Sequence, residues 1–157
     1  MIVRLLAAVA LALALWHAFR LAMGLRYAKR SREQARSAEE ARGRRVVAEI
    51  PTGDEGLAFF LEDAEGFYWG ASEARKPEVL GARLLLNGGV MGACVRDAVA
   101  LPAPPAAEEY EGGERWEVAL HLAGGRCAVV PCGSLREGVS REIAGRVFEA
   151  VRRAVTA

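Results

Sequence analysis

Leu5 to Phe19 reads LLAAVALALALWHAF, fifteen consecutive residues without a formal charge. At about 1.5 Å per helical residue this run spans about 22 Å, short of the roughly 30 Å hydrocarbon core of a bilayer. Counting from Met1 to Leu25 closes the gap. Arg4 and Arg20 then sit near the two ends, where their stems can snorkel, and Trp16 and Tyr27 fall at interface depth. The pattern predicts an N-terminal transmembrane helix over residues 1–25. A cleaved signal peptide is the competing reading. Against it, the small-x-small triplet Ala12-Leu13-Ala14 lies inside the apolar run, and bulky then basic residues follow the run. Residues 26–45 continue with helical character but without a core face: Ala28, Ala35 and Ala38 make a thin stripe, Arg36 and Glu40 form an i,i+4 pair, and Gly43 is a stop signal.

From Arg44 the period changes. Val46–Ile50 and Leu57–Glu62 read as strands, with Asp63-Ala64-Glu65-Gly66 as a hairpin turn into Phe67–Trp69. Residues 71–78 are polar, with Lys76-Pro77 in a loop. Gly81–Leu86 and Val90–Val95 flank Asn87-Gly88-Gly89, a strong turn signal because Asn and Gly tolerate positive φ. Residues 102–113, with three prolines, three acids and a Gly-Gly pair, read as a loop inside one domain. Trp116–Leu122 alternates, with Trp116, Val118, Leu120 and Leu122 on one side, and Gly124-Gly125 turns it into Cys127–Pro131. A helix is predicted over residues 135–155. Ser134 and Glu137 form a capping box, and Leu135, Val139, Ile143, Val147, Val151 and Ala154 form the apolar stripe, with Phe148 and Val155 beside it.

The predicted fold class is therefore a transmembrane helix plus an α+β domain over residues 46–157: six to seven antiparallel strands in a bent sheet or open barrel, closed by one C-terminal amphipathic helix. The hairpin WEVALHLAGGRCAVVP running into SLREGVSREIAGRVFEAVRRAV resembles the closing half of bacterial membrane-anchored pleckstrin-homology-like proteins. The resemblance implies a sandwich plugged by a helix. Phosphoinositide-binding members of that family use a basic loop between the first two strands. Here that loop, residues 51–56, is acidic.

Charge sharpens this layout. The net charge is +7 over residues 1–45 and −6 over the remainder. A basic arm beside an apolar run suggests proximity to anionic lipid, whereas a nucleic-acid binder would carry its basic charge over the folded domain. By the positive-inside rule, the basic rear flank orients the helix with its N-terminus out and the domain cytoplasmic, at a bacterial inner membrane. The three cysteines, Cys94, Cys127 and Cys132, are too few and too odd in number for a disulfide framework.

Little chemistry accompanies these elements. His121-x5-Cys127-x4-Cys132 does not match compact zinc spacing, and Gly88-Gly89-x-x-Gly92 lacks the Lys-Ser/Thr of a phosphate loop. His121 is expected to be exposed on the strand face opposite Trp116, and Cys127 to be a buried small hydrophobe. No catalytic, cofactor or metal site is predicted. The expected function is that of a non-catalytic, membrane-anchored accessory or scaffold subunit docking on a larger membrane complex, with His17 and the outward aromatics Phe60 and Tyr68 as partner contacts. The alternative is an anionic-lipid module contacting lipid through Arg26, Lys29, Arg30, Arg32 and Arg36.

Overall fold

A computed structural model describes residues 2–52, 56–97, 100–103, 113–133 and 137–157, and for 2–10, 12 and 137 the backbone alone. The chain divides into two compact units, 1–42 and 43–157.

The first unit is one 40-residue helix, α1 (Ile2–Ala41), about 60 Å long at 1.5 Å per residue. It contains no proline and is rich in Leu, Ala and Arg, all strong helix formers. Lys29–Glu33 at 3.9 Å and Arg36–Glu40 at 3.0 Å run along its second half, and Arg42 reaches back to Glu39 at 2.6 Å. Gly43, at φ 79°, supplies the left-handed residue that ends it.

The transmembrane expectation fails here. Among the described residues, no helix is long and apolar enough to cross a membrane. The reason lies in how the span was reached. The uncharged run is too short and already contains His17, and lengthening it to Met1–Leu25 brings in Arg4, Arg20 and Gly24, with Arg26 directly behind. These residues dilute the apolarity that the added length requires. The single-pass topology, the N-out orientation and the inner-membrane, cytoplasmic-domain placement derived from it fall with the span.

The second unit holds two antiparallel four-stranded sheets and a C-terminal helix. Strands β1 (Arg45–Pro51), β2 (Leu57–Glu62), β3 (Gly66–Trp69) and β4 (Ser72–Arg75) form a meander in sequence order. A 3-10 turn at Lys76–Glu78 leads to the second sheet. Its strands are β5 (Val79–Leu86), β6 (Gly89–Val95), β7 (Trp116–Leu122) and β8 (Cys127–Gly133), in spatial order β6-β5-β7-β8. The turn signals have the expected geometry: Asn87 and Gly88 at φ 48° and 77°, and Gly124 and Gly125 at 76° and 73°.

The expected bent sheet or open barrel of six to seven strands is corrected to eight strands in two sheets, and a pleckstrin-homology-like fold is not confirmed. Two physical features account for the difference. Ser72–Arg75, read as polar and not counted among the strands, pairs with β3 and buries only Ala74; its polar side chains conceal a strand whose stability comes from backbone bonds. β7 returns beside β5 and not beside the preceding β6, so the second sheet is not a simple meander.

Helix α2 (Glu137–Thr156) packs chiefly on β5, and also on β1, β6, β7 and β8. Its buried line is Ser140, Ala144, Val147, Val151 and Val155, with Phe148 and Ala150 beside it; Val139 is 56% exposed and Ile143 half-buried. The stripe is thus rotated from the expected one. Small residues at 140, 144 and 150 let the helix approach the sheet, which a line of large aliphatics would hold off. Ser134 and Leu135 lie outside the described residues, and so does the side chain of Glu137; the capping box with them. The core joins α2 to both sheets through Phe60, Phe67, Trp69, Trp116, Val118 and Leu120.

Candidate functional site

Three places were expected to carry function or are exposed by the fold. On α1, the large apolar side chains of Leu11, Leu13, Trp16, Phe19, Leu21 and Leu25 are between 56% and 73% exposed. Successive helical residues are about 100° apart, so these six are distributed around the whole circumference. A helix that is apolar all round is one that is enclosed when it works. His17, expected as a partner contact, lines a shallow concavity on this helix with Arg20, Leu21, Gly24 and Leu25. Nothing lies within 4 Å of where a Cβ at Gly24 would be. The basic residues Arg26, Lys29, Arg30, Arg32 and Arg36 are exposed on the following turns. Lys29 and Arg36 face Glu33 and Glu40 of the same helix, which weakens their field toward anything outside.

The aromatic hairpin is divided by register. Phe60 pairs with Trp69 and with Ala48, on the core face. It is fully buried, with ring centroids 5.7 Å from Phe67 and 5.8 Å from Trp69. Phe60, expected to face outward, is therefore a core residue. Tyr68 does lie on the other face, half-buried. Arg44 stacks over its ring at 4.2 Å, and its hydroxyl hydrogen-bonds Asp63. Opposite Phe67 at the end of β2, Glu62 is held by Arg45 and by Lys76 at 3.0 Å. Burial alone would raise the Glu62 pKa, but its bonds to these two cations bring it below the usual carboxylate range.

The outer face of the second sheet is where sequence reasoning missed most. His121 is 1% exposed, and neither ring nitrogen has a hydrogen-bond partner. Its cross-strand neighbours are Gly81 on β5 and Cys127 on β8. The segment 100–103 lies over this face. Arg83 donates to the carbonyls of Pro102 at 2.5 Å and Leu101 at 3.4 Å. A Cβ at Gly81 would be 3.0 Å from the Leu101 side chain. Burial, with Arg83 adding to it, lowers the His121 pKa, so the ring is neutral near pH 7. No sequence signal marks this, because alternation assigns His121 to a face without telling whether another segment covers that face.

Two of the three cysteines are buried. Cys132 is buried, its thiol pKa pushed up to about 12 by burial and by Glu117; Cys94 is buried and its pKa is raised too. Cys127, expected to be buried, is exposed at the end of β8. Among the described residues no three His, Cys, Asp or Glu side chains gather as metal ligands. No family model, curated protein or solved structure matches the chain.

Proposed function

We propose that this protein is a non-catalytic accessory or scaffold subunit whose helix α1 docks into a larger protein assembly. The observation that carries this reading is the ring of uncovered leucines and aromatics around α1. Contiguous exposed apolar surface of this kind marks an interaction site. Because the side chains point in all directions, the partner is an enclosing one, a cleft between helices and not a flat surface. Arg20 and Arg26, within the same stretch, call for carboxylates in that cleft, since an unpaired buried cation is costly. The sheet unit is the body that the arm attaches to the assembly. The anionic-lipid reading is weaker, because a helix lying on a lipid surface needs one polar face and two of the five basic residues are already paired.

The full chain purified with and without the pair Trp16→Glu and Phe19→Glu tests this. A stoichiometric companion that survives high salt and is lost in the variant, while the melting of the sheet unit is unchanged, supports the proposal. A clean monomer in both cases overturns it. Flotation of the full chain with anionic vesicles, weakening as salt rises, would favour the lipid reading instead.

A further inference from the structure

We infer that His121 is a proton-operated latch: its protonation releases segment 100–103 from the outer face of the second sheet. The geometry sets up the conflict. The imidazole is buried on a central strand, between β5 and β8, with both nitrogens unpartnered. A neutral ring tolerates this setting, whereas an imidazolium presents two N–H donors that require acceptors. The covering segment Ala100-Leu101-Pro102-Ala103 brings no acidic side chain, and the carbonyls of Leu101 and Pro102 are already taken by Arg83.

The charged and titratable groups around the ring reinforce this. From β5, Arg83 sits two residues along from Gly81, the register partner of His121, and so on the same face. A positive ring would repel it. From β8, Cys127 is the direct neighbour; though exposed at the surface, it is partly desolvated, which raises its thiol pKa, so it stays a neutral thiol at neutral pH. Along β7 itself, Glu117 is engaged by Arg115 at 3.4 Å. Among the described residues, none of these supplies a free carboxylate to the ring. Water is then the remaining source of acceptors, and it reaches the ring by displacement of the segment.

Arg83 gives the latch its two states. With the ring neutral, Arg83 clamps the segment through two carbonyls and Leu101 lies over Gly81. With the ring charged, the clamp and the ring repel each other, and both gain hydration when the segment lifts. The inference is independent of the α1 docking proposal, since it concerns the sheet unit alone.

The test is an NMR pH titration of the full chain from pH 8 to pH 5, following the His121 ring and, by nuclear Overhauser effects, the contact between the Leu101 methyls and Gly81. His17→Gln removes the second histidine signal. The expected result is a His121 midpoint below the ordinary 6.5, with loss of most of the Leu101–Gly81 contact over the same pH range. In His121→Leu, which keeps the face filled and apolar, the contact persists across the range. A contact that persists in the wild type through the whole His121 titration overturns the inference. So does an equal loss of the contact in His121→Leu. Unlatching without unfolding is distinguished by β5 and β7 amides that remain protected.

Discussion

Phe60 and Phe67 stack with ring centroids 5.7 Å apart and 20° between their planes, fixing β2 and β3 to the core from the middle of the first sheet. Both are fully buried. Phe60→Ala removes a ring that two neighbours contact and leaves a cavity, so it should lower unfolding free energy by about 3–5 kcal/mol. Tyr68→Ala, on the opposite face, loses mainly the contact with Arg44 and should cost about 1 kcal/mol. Urea unfolding of both variants checks the ordering.

Helix α2 offers a paired test. Val147 is fully buried, whereas Val139, two turns earlier, is 56% exposed. Val147→Asp puts an unpaired charge into the core and should unfold the sheet unit. Val139→Asp should change stability by no more than about 0.5 kcal/mol. Equal melting temperatures for the two would refute the observed rotation of the helix.

Glu62 links stability to pH. Its pKa is lower in the folded chain than its ordinary 4.5, because Arg45 and Lys76 outweigh burial. A depressed folded pKa means that the stabilisation is present above about pH 4.5 and is lost as pH falls through the folded value. Glu62→Gln should therefore be less stable than wild type at pH 7, and the gap should close as the pH is lowered past that value. Denaturation midpoints at several pH values measure this.

Gly81→Ala should destabilise the second sheet by about 1–3 kcal/mol. Its Cβ would lie 2.4 Å from the Cys94 carbonyl oxygen and 3.0 Å from Leu101. The carbonyl is backbone of the paired strand β6, so relief requires a shift of the sheet. An unchanged melting temperature would show that the strands slide freely.

Thiol labelling of the native chain should modify Cys127 alone, and Cys94 and Cys132 only after denaturant is added. Mass spectrometry of the labelled peptides reports the pattern directly.

Several features were readable from residue type because their physics is local. Asn87-Gly88 and Gly124-Gly125 are turns whose φ values only such residues adopt readily. The apolar spacing of residues 139–155 gave the helix, though not its rotation, because a periodic stripe two residues wide does not say that small Ser140 and Ala144 sit at the closest approach. Features set by tertiary contact were hidden. Crowding of aromatics points Phe60 outward, and its register with Ala48 and Trp69 reverses that. Strand alternation puts His121 on the face opposite Trp116, which by itself points to water, but the cover over that face comes from a segment about twenty residues earlier. The membrane reading failed for a different reason: length and apolarity were satisfied by different stretches of the same helix.

The strand order of the second sheet has a kinetic consequence. Hairpins β5–β6 and β7–β8 each close locally, but the sheet exists only once β7 has found β5 across the connection from Val95 to Trp116. That pairing carries the long-range contacts of this half of the unit, so the search for it should set the folding rate. Lengthening the connection then slows folding gently, at about 0.6 kcal/mol per doubling of its length, while leaving the speed of unfolding to the interactions that β7 makes once it is in place.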